Sequence, residues 1–126
     1  MNLKKIFIFG ILAMIIGSCT TAKPSITVSR TEIKEVVTQQ ETTLVDVRIP
    51  NQFSAQTAPG AVNIPLAQLK EQLGFFRQQK SIVIFCNSGK QAGQAVSILK
   101  KNGIENVYNA KTLQNVIAIQ KEINDN

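Results

Sequence analysis

Ile82-Val83-Ile84-Phe85-Cys86-Asn87-Ser88-Gly89-Lys90-Gln91-Ala92 places a cysteine where a buried strand ends and a helix begins. The apolar residues Ile82 to Phe85 have the unbroken character of a strand covered on both faces. From Gln91 onward, Ala92, Ala95, Ile98 and Leu99 recur at helical spacing. The segment between is short, polar and centred on a glycine. Such a loop curls backbone N–H groups inward around the sulfur, and the helix that follows aims the positive end of its dipole at it, so both favour thiolate over thiol. Cys86 is therefore read as a nucleophile. The competing reading is a small buried hydrophobe at a strand end, a common fate of free cysteines.

Composition narrows the chemistry, because the chain contains no histidine. A Cys-His or Ser-His-Asp pair is impossible, and so is a His-ligated metal centre. The two cysteines, Cys19 and Cys86, form no Cys-x-x-Cys, so neither a metal site nor a cofactor is expected. Whatever Cys86 does must run on loop electrostatics.

The N-terminus accounts for the other cysteine. Met1-Asn2-Leu3-Lys4-Lys5 is a basic leader, and the apolar run from Ile6 to Ile16 is shorter than the roughly twenty residues needed to span a bilayer. Ile16-Gly17-Ser18-Cys19 resembles the lipobox of bacterial lipoproteins. The expectation is a signal peptide over residues 1–18, lipidation at Cys19, a tether over 19–24 and one domain over 25–126. The protein is then exported to the cell envelope and held to a membrane by its lipid. The alternative is an ordinary signal peptide cut after Thr20-Thr21-Ala22, giving a soluble periplasmic protein. Loss of Lys4 and Lys5 lowers the formal charge from +6 to +4. The remaining basic residues are scattered and the aromatics few, so nucleic acid is not an expected partner, whereas a small anion would be drawn to a positive pocket.

About a hundred residues suit one core. Ile26-Thr27-Val28 reads as a strand, and Ser29-Arg30-Thr31-Glu32 as a capping box opening a helix to about Val37. Thr43 to Val47 is a strand, Pro50 starts a short helix, and Pro59-Gly60 turns into the strand Ala61-Val62-Asn63. Pro65 opens a helix to about Leu73. The strand before Cys86 and its helix follow, with Asn102-Gly103 as a left-handed cap. Asn106-Val107-Tyr108 is the last strand, and Leu113 to Ile119 is helical. Strands alternating with helices predict an α/β fold: a central parallel sheet with helices on both faces.

Taken in order, Leu44-Val45-Asp46-Val47-Arg48, Phe53, Pro59-Gly60-Ala61-Val62-Asn63-Ile64-Pro65-Leu66 and Ile82 to Phe85 with the Cys86 loop resemble the rhodanese-like domain family. The resemblance runs from about Ser25 to Leu113. It is nearest to the small envelope sulfurtransferases of that family, whose loop looks like Cys-Asn-Ala-Gly-Arg-Gln-Ser-Gly-Gln-Ala. It implies a single rhodanese-like domain in which Cys86 takes the outer sulfur of thiosulfate or of another persulfide donor. The sulfur is held as a persulfide and passed to cyanide or a thiol. By position, Asn87, Ser88, Gly89, Lys90 and Gln91 would cradle the substrate with backbone donors. Lys90 stands where the family has a loop arginine, and could steer an anion or be a solvated surface lysine. Arg48 would be an anion contact and Asp46 its structural support. The chain departs from the family at Lys90 and at Ala110-Lys111, where many members have Gly-Gly.

Three function classes follow: a sulfurtransferase, a non-enzymatic sulfur-carrier or redox-partner module, and a cysteine phosphatase or arsenate reductase. The last wants an arginine six residues after the cysteine to clamp an oxyanion, and Ala92 stands there.

Overall fold

In the computed structural model, which describes residues 28–126, strand alternation divides the apolar side chains between two cores. The strands are β1 (Thr42–Asp46), β2 (Val62–Asn63), β3 (Ser81–Cys86) and β4 (Val107–Thr112), all parallel in the order β2-β1-β3-β4. On β3, Ile82, Ile84 and Cys86 face one core while Val83 and Phe85 face the other. A 3₁₀ helix (Leu66–Gln72), α3 (Leu73–Arg77) and α4 (Lys90–Lys101) cover the first face. The helices α1 (Arg30–Thr38) and α5 (Leu113–Asn124) cover the second. Phe76, Leu69, Leu99, Ile82 and Ile84 are fully buried on the α4 side, each worth about 1.5–3 kcal/mol of transfer free energy. The α/β architecture predicted from sequence is the one observed. A further helix, α2 (Pro50–Ala55), buries none of its residues and serves as a connection.

Local chemistry sets most boundaries. Ser29 accepts from the Glu32 N–H at 3.2 Å and starts α1, and Pro50 occupies the first turn of α2. At the end of α4, Gly103 takes φ +80°. Its N–H reaches the Lys100 carbonyl at 3.1 Å and the Ile104 N–H reaches that of Leu99 at 3.0 Å, which is a Schellman ending.

Three elements differ from the sequence expectation. The segment after Pro65 is a 3₁₀ turn running into α3 and ending at Arg77, not a helix to Leu73; Leu66 and Leu69, three apart, share a face in 3₁₀ geometry and both reach the core. The last strand reaches Thr112, because pairing with β3 overrides the weak strand propensity of Asn109 and Lys111. The final helix continues to Asn124. The expected strand at Ile26-Thr27-Val28 falls outside the described residues except for Val28, which is in no strand, and Cys19 and the leader also lie outside them. Among the described residues no helix is long and apolar enough to cross a membrane.

From β1 the chain first steps outward to β2 and then returns to β3 on the other side. Parallel strands all end at one edge, and ligands in open α/β sheets bind where the order reverses. That point lies between the ends of β1 and β3, at Asp46 and Cys86.

Candidate active site

Cys86 is the last residue of β3, opposite Thr112 of β4, and only 1% exposed. Three residues on, Gly89 adopts φ +90° and becomes the N-cap of α4 without a side chain to offer the helix. The sulfur takes that place. Cys86 Sγ accepts the Gly89 N–H at 3.0 Å and the Ala92 N–H at 3.4 Å, two of the donors a helix start otherwise leaves unsatisfied. Its own S–H faces the Lys111 carbonyl at 3.5 Å. The Lys90 N–H turns to Ser88 Oγ at 3.4 Å, while the Gln91 N–H has no acceptor among the described residues. Partial positive charge thus converges on the sulfur from the backbone alone.

A buried ion pair braces the loop from β1. Asp46 is fully buried and Arg48 is 5% exposed. Arg48 Nη2 and Nε meet the carboxylate at 2.7 and 3.0 Å, and Asp46 Oδ1 also accepts the Arg48 N–H at 3.0 Å. Thr57 Oγ1 donates to Asp46 at 2.9 Å. The rest of the guanidinium reaches outward, donating to Asn87 Oδ1 at 3.0 Å and to the Gln56 carbonyl at 2.5 Å. The planar fork of arginine is what allows one side chain to hold three partners at once. Asn63 Nδ2 fixes the same turn by donating to the Asp46 and Arg48 carbonyls.

On the other flank, β4 carries a bulge. Ile84 pairs with Asn109 but Phe85 with Lys111, so Ala110 is extra. Lys111 follows at φ +66°, a left-handed conformation that costs a residue with a Cβ about 1–2 kcal/mol.

The sequence profile of the rhodanese-like domain matches residues 29–112. The chain belongs to the rhodanese-like domain family. Thiosulfate sulfurtransferase PspE of Escherichia coli is 38% identical over 74 residues, 57% of this chain and 71% of that protein. The uncharacterized protein YqhL of Bacillus subtilis is 41% identical over 68 residues, 54% of each chain, so this chain spans about half the length of that relative. Among solved structures, a rhodanese with anions from E. coli has a TM-score of 0.55 at 37% identity, covering 59% of this chain and 89% of the other. Human single-domain sulfurtransferase TSTD1 has a TM-score of 0.54 at 25% identity, covering 66% and 84%.

The rhodanese-like fold brings the sequence-derived candidates Cys86, Asn87, Ser88, Gly89, Lys90 and Gln91 together at the end of β3 and the start of α4. One role changes. Arg48 is not an open anion contact: its guanidinium is buried and turned into Asp46, Asn87 and Gln56, which makes it a brace. The donors that reach the resting sulfur come from Gly89 and Ala92. Ala92, Thr57 and Gln56 contribute as well, and the sequence alone does not name them. Position N3 of a helix beginning at Lys90 was the available signal for Ala92, since that amide always points out of the first turn. Gln56 and Thr57 left no signal, because each acts through a contact set by the tertiary fold.

Proposed function

We propose that the protein is a sulfurtransferase moving sulfane sulfur from thiosulfate or a persulfide donor to a thiophilic acceptor through a Cys86 persulfide. The observation that carries this reading is the pair of backbone N–H groups, from Gly89 and Ala92, directed at one buried sulfur. The Cys86 thiolate attacks the outer sulfur of thiosulfate, a new S–S bond forms, and the old S–S electron pair leaves with sulfite. Charge is conserved, since a thiolate and a dianion become a persulfide anion and a dianion. Cyanide or a thiolate then attacks the terminal sulfur and regenerates the Cys86 thiolate. The Gln91 N–H, without a protein acceptor among the described residues, suits the extra sulfur or a substrate oxygen. Lys90, exposed at the first turn of α4, steers the anion by its charge.

The test is intact mass of the full chain after incubation with thiosulfate. A gain of one sulfur atom is expected in the wild type and none in Cys86→Ser, which should abolish transfer while folding normally, because an alkoxide is not accessible near neutral pH. Equal turnover in the two proteins would overturn the mechanism. A second reading, a sulfur carrier loaded by another protein, draws on the similarity to the putative sulfur carrier protein YrkF of Bacillus subtilis, 29% identical over 76 residues and 41% of its length. Sulfur gain without steady turnover on any small acceptor would favour it.

We further propose that Cys19 is lipidated after removal of residues 1–18 and that the domain is anchored in the cell envelope. The basic leader, the apolar run and Ile16-Gly17-Ser18-Cys19 support this. Labelling with a fatty-acid analogue should mark the wild type and not Cys19→Ala. An unlabelled, soluble wild type would overturn the anchor and leave the sulfur chemistry standing.

A further inference from the structure

We infer that Lys111 is a specificity-determining residue of the sulfur site: its ammonium, together with that of Lys90, selects doubly negative sulfur donors over singly negative ones. The inference rests on the sulfurtransferase reading and names the substrate class of that same site.

Several independent features converge on Lys111. The bulge in β4 falls immediately before it, and such bulges re-aim a side chain. Among the described residues it is the only non-glycine with positive φ, at +66°. That conformation is held in place on both sides. Asn109 Oδ1 accepts the Lys111 N–H at 2.8 Å, and Asn115 Nδ2 donates to the Ala110 carbonyl at 3.1 Å. A strained residue that its surroundings over-determine, beside a reactive sulfur, points to function. The base of the stem lies against the cysteine loop: Lys111 Cβ and Cγ lie 3.1 and 3.6 Å from where a Cβ on Gly89 would stand. The Lys111 carbonyl is already 3.5 Å from the sulfur.

The charge of Lys111 is also free to act. Lys34 and Lys80 have carboxylate partners, Glu122 and Glu41, whereas Lys111 has none among the described residues. Asp46, the carboxylate at the end of the neighbouring strand, is taken up by Arg48 and Thr57. Arg48 itself is buried and engaged, so Lys90 and Lys111 are the cations flanking the loop that remain for an incoming anion. The attraction of a fixed cation scales with the charge of the anion, so a dianion gains twice the interaction of a monoanion from each lysine. Sulfite, the leaving group from thiosulfate, is a dianion as well and is held by the same pair.

Two donors of the same sulfane sulfur separate charge from chemistry: thiosulfate, a dianion releasing sulfite, and methanethiosulfonate, a monoanion releasing methanesulfinate. In the full chain at low ionic strength, Lys111→Gln should raise KM roughly tenfold for thiosulfate and roughly threefold for methanethiosulfonate, with the larger part of the effect in KM rather than kcat. Added salt should bring the two donors together, and Lys111→Arg should keep the wild-type ratio. Lys111→Gly removes the charge and relieves the backbone, so it should match Lys111→Gln in the ratio while melting higher than the wild type. A wild type that turns over both donors, with the ratio unchanged in Lys111→Gln and Lys111→Gly, overturns the role of Lys111 alone. A wild type that takes sulfur from neither donor overturns the sulfurtransferase reading and this inference with it.

Discussion

Two carboxylates in this molecule each gather several partners, and they sit in opposite surroundings. Asp46 lies under the cysteine loop, with side-chain exposures of 0% for itself and 6% for Arg48. Glu122 bridges α5 to α1 by accepting from Arg30 at 2.8 Å and Lys34 at 3.0 Å, and its side chain is 43% exposed. Water screens the second cluster, so it contributes little beyond steadying one helix against another. The first has no water to fall back on. Removing either member leaves a charge stranded in the core, and the fold uses that constraint to fix Asn87, the first residue of the loop, to the end of β1. The same kind of bond therefore serves geometry in one place and modest cohesion in the other.

Arg48→Ala separates the two clusters most strongly. Leaving Asp46 unpaired should cost about 3–5 kcal/mol in urea titration. Sulfur transfer by the remaining folded fraction should fall as well, because Asn87 loses its anchor. Arg30→Ala is the matched control, and similar shifts in the two variants would show that burial does not separate the clusters. Next in size is Gly89→Ala. Its Cβ would stand 3.1 Å from Lys111 Cβ on a backbone at φ +90°, an expected loss of about 1–3 kcal/mol with slower transfer. Gly103→Ala shares a positive φ but meets nothing within 4 Å, so the difference between the two melting curves isolates the contact at the sulfur loop. The smallest effect belongs to Glu122→Gln. The hydrogen bond from Lys34, then that from Arg30, holds the Glu122 carboxyl below its ordinary range. A group depressed in the folded state stabilises above its unfolded value and loses that contribution as pH falls through the folded one. Glu122→Gln should therefore melt slightly below the wild type at neutral pH, with the gap closing in acid and in high salt.

What sequence made legible was local. Ser29, Pro50 and Gly103 each mark a boundary through a contact or dihedral within a few residues, and the apolar run before Cys86 placed a strand that must end where the helical spacing begins. What stayed hidden depended on partners far along the chain. Arg48 reads as an exposed cation until it is known that Asn87, 39 residues away, receives one of its donors. The Ala92 amide shows only indirectly, as position N3 of a helix starting at Lys90, because a backbone donor has no letter of its own. The extension of β4 through Asn109 and Lys111 follows from an open ladder edge on β3, which overrides the propensity of polar residues. Pro65 marked the start of its helix correctly in place but not in kind, since 3₁₀ and α turns share the same opening signals.

Because a sulfur atom caps α4, the first turn of that helix is also a sensor. The amide protons of Gly89 and Ala92 point at Cys86 Sγ, so their chemical shifts and hydrogen-exchange rates register any change in what the sulfur carries. Alkylating the thiol enlarges the group they face, and oxidising it offers them oxygen in place of a soft acceptor. Two backbone signals, read without any substrate or product, thus follow the chemical state of a residue that is only 1% exposed.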